Sequence, residues 1–156
     1  MTRIIAYFAL CISTISLFSF QKKSKFDLTA SMTRGREIYS TYCVSCHQEQ
    51  GEGVEDIYPP LAKSDYLMAD KKRSILQVLK GASGEMKVNG KIYNMEMVGF
   101  NLSAQETSDV LNYIRNSFGN KASVISPEKV KVVRASVANQ KDIYNVSKLL
   151  LEHPLE

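Results

Sequence analysis

The chain has 156 residues, of which 44% are hydrophobic and 23% charged, a composition that fits one small globular domain with appended segments. Its net charge is +4, and acidic and basic residues alternate along the chain without a long basic block. We therefore predict no nucleic-acid partner. Three cysteines are too few for a disulfide-stapled miniprotein, so they are candidates for other chemistry.

The first 20 residues have the pattern of an export signal. A positive start at Arg3 is followed by an uncharged run of 17 residues, Ile4 to Phe20, and then by lysines. The run contains serines and a threonine and is shorter than the roughly 20 apolar residues of a membrane-spanning helix. We predict that residues 1–20 are removed together with Cys11, and an uncleaved N-terminal anchor is the alternative. Either way the protein is expected to be exported, and to be periplasmic or tethered on the outer side of the inner membrane.

The first half of the exported chain predicts a linker and two helices. Residues 21–32 are polar and are interpreted as a linker before a domain that spans residues 33–119. A first helix is expected over residues 33–46, where apolar side chains recur every three or four positions. A second helix is expected between a cap at Asp70 and a stop at Gly81.

Two local signals define the second half of this domain. Asn89-Gly90 lies between short segments of alternating character and predicts a tight hairpin turn. Ser103 and Glu106 have the spacing of a capping box, which predicts a third helix that ends at Gly119. We therefore expect an all-α fold that carries one small hairpin.

Residues 120–156 form a C-terminal extension with helical signals of its own. Ser126-Pro127 predicts a helix start, and an amphipathic run from Ile143 to Leu150 predicts a second helix. The extension is interpreted as a strap packed on the domain. A docking surface for another subunit is the alternative.

The sequence Cys43-Val44-Ser45-Cys46-His47 is typical of covalent haem attachment. Two cysteines three positions apart at a helix end lie on one side, so that each sulfur can form a thioether with one vinyl group of a haem. The adjacent histidine is then delivered beneath the iron at a high local concentration.

Three other interpretations of this motif are weaker. A thioredoxin-like redox pair requires a parallel sheet, and the sequence has no strand-helix-strand pattern. A zinc site requires two further ligands, and after removal of the signal the sequence offers only the distant His153. The third interpretation is that the five residues occur together by chance.

The chain resembles the small monohaem class I cytochromes c over about residues 33–119. Besides the attachment motif, Gly35 and Tyr39 resemble the residues of the family's N-terminal helix that cross a C-terminal helix at Val110 and Tyr113. The resemblance implies a class I cytochrome c-like helical fold around one covalently bound haem c.

The resemblance also implies roles for residues after the attachment motif. Pro59-Pro60-Leu61 matches the family's Pro-x-Leu, in which the proline carbonyl accepts the imidazole proton and the leucine packs on the porphyrin. An acceptor for the second ring nitrogen fixes the tautomer of a ligand histidine. The alternative role for the two prolines is to stiffen an ordinary loop.

The family's distal methionine lies in the loop before the last helix of the domain, which is the position of Met97 here. Met95 is the alternative, and the absence of a methionine ligand is a third possibility. The family has proline directly after this methionine, whereas this chain has Val98. Met86, beside the hairpin, is interpreted as core filler.

The expected cofactor-binding residues are therefore Cys43, Cys46, His47, Pro59, Leu61 and Met97, and the expected iron ligands are His47 and Met97.

Ligation by histidine and methionine leaves no open position on the iron and raises its reduction potential. We therefore predict an electron-transfer protein of the bacterial cell envelope and not an enzyme, with a dehydrogenase as donor and an oxidase as acceptor. The main alternative is a haem-bearing subunit of a larger dehydrogenase or oxidase complex, and an open haem that binds a gas or peroxide is a weaker one. Five basic residues are interpreted as a solvated face, and the alternative is that they steer the haem edge towards an acidic partner: Lys63, Lys71, Lys72, Arg73 and Lys80.

Overall fold

The computed structural model describes residues 25–152. The predicted export signal with Cys11, the first part of the predicted linker, and His153 lie outside the described residues. Within residues 25–152, no helix has both the length and the apolar character needed to cross a membrane.

Seven helices and five short strands make up the described part of the chain. In chain order they are α1 (Leu28–Tyr42), α2 (Val44–His47), α3 (Asp65–Ala69), α4 (Lys71–Lys80), β1 (Gly81–Ser83), β2 (Met86–Val88), β3 (Lys91–Tyr93), β4 (Met97–Val98), α5 (Ala104–Ile114), α6 (Pro127–Ser136), β5 (Tyr144–Asn145) and α7 (Val146–Glu152).

Helix α1 begins at Leu28, five residues before the expected start. The side chain of Asp27 accepts a hydrogen bond of 3.0 Å from the backbone N–H of Ala30, and this cap sets the start of the helix. Helix α1 crosses α5 closely, because a Cβ atom on Gly35 would lie 2.0 Å from the carbonyl oxygen of Asp109. The predicted crossing of the first and last helices of the domain is therefore present.

Three of the local predictions are confirmed, namely two helix N-caps and one hairpin turn. Asp70 caps α4 by accepting from the backbone N–H of Arg73 at 2.6 Å. Ser103 and Glu106 form the predicted capping box, with Ser103 Oγ accepting at 3.2 Å and the Glu106 carboxylate at 2.7 Å. The hairpin of β2 and β3 turns at Asn89 and Gly90, which have φ angles of 50° and 84°.

The expected end of the third helix at Gly119 is wrong, since α5 ends at Ile114. The next residues form a turn in which Phe118 and Gly119 both have positive φ, at 57° and 81°. This left-handed backbone cannot continue a helix. The ring of Phe118 packs against Tyr39 at 5.3 Å between ring centroids and so covers the end of the helix pair.

A three-stranded sheet, in the order β4-β1-β5, corrects the expectation of an all-α fold with only a hairpin. Strand β1 pairs with β4 in antiparallel orientation and with β5 in parallel orientation. These strands have only two or three residues each, too few for an alternating apolar pattern to be visible in the sequence. The fold is therefore helical with two small sheets.

The extension packs against the domain as the strap interpretation expects. Its buried side chains join the same core cluster as helices α4 and α5: Val130, Val133, Val137, Tyr144 and Leu149. The Nζ atom of Lys71 donates to the carbonyl oxygen of Val124 at 2.9 Å, which ties α4 to the start of the extension.

Candidate haem site

Two adjoining cavities lie between helix α2, the loop that follows it and strand β4. The inner cavity is concave and mostly apolar, which is the character of small-molecule sites. The outer cavity leads to the surface. Residues that line both cavities are Cys43, His47, Pro59, Met86, Met97 and Phe100.

The attachment motif lies at a break between two helices. Helix α1 ends at Tyr42, and the motif continues through Cys43 into the single-turn helix α2. Both thiols are free and partly buried, and both cysteines line the outer cavity. Burial, with a smaller effect of the nearby Cys46, raises the pKa of the Cys43 thiol to about 11. The two sulfurs are thus held on the same side of the site, at its mouth.

The imidazole of His47 is partly buried, and a hydrogen bond holds it in one orientation. Its Nδ1 atom donates a hydrogen bond of 2.9 Å to the carbonyl oxygen of Pro59, the bond that the family resemblance implies. Burial lowers the pKa of His47, and this hydrogen bond opposes the shift. A neutral imidazole with its proton on Nδ1 has a free lone pair on Nε2, which is the form that binds a metal.

The loop between His47 and Leu61 is shaped by two glycines. Gly51 and Gly53 have φ angles of 67° and 68°, and a Cβ atom on Gly53 would lie 2.3 Å from the carbonyl oxygen of Tyr58. The carbonyl oxygen of Gly51 accepts from the N–H of Leu61 at 2.7 Å. The loop therefore returns to α2 and places both Pro59 and Leu61 against the cavity.

The structure separates the candidate methionines. Met97, on β4, is partly buried and lines both cavities, whereas Met95 is 52% exposed and lines only the outer cavity. Met86, interpreted from the sequence as core filler, also lines both cavities and is thus a site residue that sequence reasoning missed. Its place at the start of β2, two positions before the buried Val88, was the available signal in the sequence.

One part of the inner cavity wall is polar and the rest is apolar. Gln77 Nε2 donates to Tyr66 Oη at 3.1 Å within the polar part. The other polar lining residues are Ser64 and Ser74. The apolar part is lined by Leu61, Leu67, Val78, Phe100, Leu102, Val110, Leu111 and Ile114.

The five basic residues between Lys63 and Lys80 line neither cavity. Arg73 is fully buried, with its guanidinium carbon 4.1 Å from the centroid of the Tyr66 ring. Lys71 and Lys80 donate to backbone carbonyl oxygens of the extension. The interpretation of all five residues as a solvated face is therefore wrong for Arg73, and Lys71 and Lys80 hold the extension to the domain.

Exposed apolar side chains surround the mouth instead. Tyr42, Met95 and Val98 line the outer cavity and are 47%, 52% and 59% exposed. The exposed Glu96 lies beside them. An apolar rim next to an acidic side chain is thus the surface through which the outer cavity opens.

A model of the cytochrome c family matches residues 32–118 of this chain. The chain therefore belongs to the cytochrome c family, whose members bind haem c covalently and act in electron transfer. This match covers almost the same residues as the domain predicted from the sequence.

Individual relatives fall into two groups. Cytochrome c-552 of Thermus thermophilus is 34% identical over 118 residues, which cover 69% of this chain and 79% of the relative. The cytochrome c subunit of a quinone alcohol dehydrogenase of Gluconacetobacter polyoxogenes is 35% identical over 96 residues, which cover 60% of this chain and 20% of the relative. The cytochrome subunit of a fructose dehydrogenase of Gluconobacter japonicus is 26% identical over 119 residues, 73% of this chain and 24% of the relative. The chain thus spans about a fifth of the length of the alcohol dehydrogenase subunit.

The residues around the cavities fit a haem. An imidazole oriented by a hydrogen bond, thioethers from methionine and two free thiols are the donor set that a c-type haem requires. The apolar wall suits the porphyrin face. This agreement rests on the chemistry of the lining residues, independently of the family match.

Proposed function

We propose that the protein carries single electrons on one haem c in the bacterial cell envelope. The observation that carries this proposal is the orientation of His47, whose Nδ1 is bound to Pro59 and which lines the same cavities as Met97. When bound there, haem supplies an iron that changes between the ferric and ferrous states by one electron.

Each site residue then has a defined task. Cys43 and Cys46 hold the haem through thioether bonds, and His47 and Met97 are the axial ligands. The carbonyl oxygen of Pro59 keeps the proton of His47 on Nδ1, so that Nε2 is presented to the iron. Leu61 packs on the porphyrin and excludes water from the site.

Electron transfer is favoured over substrate chemistry because the two axial ligands fill the positions at which a substrate would bind. The soft thioether of Met97 favours the ferrous state and so raises the reduction potential. Anaerobic redox titration is expected to give a single one-electron transition, and carbon monoxide is expected to leave the spectrum of the reduced protein unchanged. Ready binding of carbon monoxide would instead support an open haem that binds small gases.

The rim of the outer cavity is the proposed contact with redox partners. Tyr42, Met95 and Val98 are exposed apolar side chains next to the cysteine sulfurs, where the haem edge would be closest to the surface. A dehydrogenase is the proposed donor, because several relatives are named as cytochrome subunits of dehydrogenases. An oxidase is the proposed acceptor.

Export and removal of residues 1–20, or tethering by them, complete the proposal. The linker and domain boundaries predicted from the sequence are part of it, although α1 begins at Leu28, within the predicted linker of residues 21–32. Mass determination of the exported protein distinguishes a removed signal from a retained anchor.

A second candidate function is that of a haem subunit in a larger dehydrogenase complex. The similarity to dehydrogenase cytochrome subunits favours it. Within residues 120–152, the surface of the extension that remains for such a partner is its outer side, because most of its apolar side chains are buried in the domain. Size-exclusion chromatography of native material tests this candidate, and a solitary species of low mass would argue against it.

A further inference from the structure

The C-terminal extension reaches the strand that carries Met97. In the three-stranded sheet, Ala82 of β1 pairs with Met97 of β4 on one side and with Tyr144 of β5 on the other. The extension therefore supplies the third strand of a sheet whose opposite edge forms the distal wall of the haem site. Neither the strap nor the docking interpretation accounts for this position.

Buried side chains anchor the extension at this sheet. Val146, directly after β5, and Leu149, one turn later, are both fully buried. Lys80, the residue before β1, donates from Nζ to the carbonyl oxygen of Gln140 at 2.5 Å. Strand β1 is thus joined to the extension by parallel backbone pairing and by an adjacent side-chain hydrogen bond.

The contact between β1 and β4 leaves no space for sliding. A Cβ atom on Gly81 would lie 2.2 Å from the carbonyl oxygen of Met97, and one on Gly99 would lie 2.7 Å from the carbonyl carbon of Lys80. The N–H of Phe100 also donates to the carbonyl oxygen of Val78 at 2.8 Å. A displacement of β1 would therefore be transmitted to β4.

We propose that β5 and the start of α7 form a distal brace, defined as residues 144–149, which holds β4 and so fixes Met97 at the iron. Tyr144 and Val146 are then positioning residues for the distal ligand. The proposal rests on the proposed function through the assignment of Met97 as an axial ligand. Loosening the brace lets Met97 leave the iron more often, so an added ligand competes with it more successfully.

Two buried valines of the extension provide a matched test. Val146 and Val130 are both fully buried, but Val130 lies on α6, whose main contacts are with α4 and α5. Imidazole binding to the ferric protein is measured by absorbance for the variants Val146→Ala and Val130→Ala. Val146→Ala is expected to raise the affinity for imidazole by roughly threefold to tenfold, and Val130→Ala to leave it within about twofold of the wild type.

A second variant, at Lys80, tests the brace without removing a side chain from the buried core. Lys80→Met removes the hydrogen bond to Gln140 and retains a long apolar side chain, and it is expected to raise the affinity for imidazole by about twofold to threefold. Hydrogen exchange in residues 97–100 is expected to be faster in Val146→Ala and in Lys80→Met than in Val130→Ala. The brace would be wrong if Val146→Ala and Lys80→Met bound imidazole as the wild type does. It would also be wrong if Val130→Ala raised the affinity for imidazole as much as Val146→Ala does.

Met97→Ala separates failure of the brace from failure of the proposed ligand. If Met97→Ala binds imidazole more tightly than the wild type and the brace variants do not, the brace is wrong and the ligand assignment stands. If Met97→Ala binds imidazole no more tightly than the wild type, Met97 is not the distal ligand, and both proposals about it fail.

Discussion

The two walls of the haem site are built from the chain in different ways. On the side of His47, the proposed iron ligand and both cysteines come from five consecutive residues, and the hydrogen-bond acceptor Pro59 follows 12 residues after His47. On the side of Met97, the wall depends on a sheet that joins residues 81–83, 97–98 and 144–145. The first wall is thus encoded locally, whereas the second requires the chain to be folded almost to its end.

This difference determines what a substitution should do on each side. Removal of both cysteines of the attachment motif should release the cofactor from the denatured protein, because within residues 25–152 they are the two cysteines that line the site. A change on the side of Met97 should leave the cofactor attached and alter its potential and accessibility. The predictions below follow from this contrast and are ordered from the largest expected effect to the smallest.

The largest effect is expected from the double substitution Cys43→Ala and Cys46→Ala, which removes both sulfurs of the proposed thioether bonds. The denatured protein should then retain no haem, and Cys46→Ala alone should leave at most one thioether. Haem staining after denaturing electrophoresis measures the loss. Ser45→Ala is the control within the same motif and should stain as the wild type does; stain retained by the double variant would contradict the assignment.

Substitution Met97→Ala should keep the haem attached and lower the reduction potential. The expected shift is a sizeable part of the range of roughly 0.8 V that axial ligands span, because the thioether that favours the ferrous state is lost. Spectroelectrochemical titration measures it. The matched variant Met95→Ala, at a half-exposed position two residues away, should leave the potential unchanged. An unchanged potential in Met97→Ala would transfer the ligand role to Met95 or Met86.

Substitution Gly35→Ala tests the helix crossing that supports the attachment motif. The added Cβ would overlap the carbonyl oxygen of Asp109 and lie 2.8 Å from the Cβ of Tyr113, so α1 and α5 must move apart. We expect the free energy of unfolding to fall by about 3 kcal/mol. Urea unfolding measures the change. Ser40→Ala, exposed on the same helix, should change it by less than about 0.5 kcal/mol, and equal effects of the two variants would argue against this crossing.

The smallest effect is expected at the start of α5, which follows the Met97 loop. Ser103→Ala removes the N-cap and should lower the free energy of unfolding by about 1 kcal/mol, while Ser103→Thr should retain most of the cap. Hydrogen bonds to Ser103 lower the pKa of Glu106. The ionised Glu106 carboxylate therefore stabilises the folded protein fully above its ordinary pKa, and this stabilisation is lost as pH falls through the lowered pKa. The stability difference between the wild type and Glu106→Gln should therefore shrink on acidification.

The sequence predicted those parts of the fold that depend on neighbouring residues. The caps at Asp70 and Ser103, the turn at Asn89-Gly90 and the start of the helix at Pro127 each follow from one or two adjacent side chains. Helix-capping and turn preferences depend on a few neighbouring residues, so these features can be predicted without knowledge of tertiary contacts. The attachment motif was recognisable for the same reason.

The parts that could not be predicted depend on contacts between distant segments. Strand β5 has two residues and pairs with β1, which lies far earlier in the chain, so no local pattern marks it. The basic residues between 63 and 80 looked like a solvated face, but Arg73 is buried and Lys80 bonds to the extension. Charge alone cannot show which of these long side chains reach backbone carbonyl oxygens.

The most direct test of the account is the intact mass of the purified, exported protein under denaturing conditions. We expect the mass of the processed polypeptide plus that of one haem, and this addition should persist after unfolding and acid extraction because both links to the sulfurs are covalent. A colourless protein with the mass of the bare polypeptide would contradict the central claim.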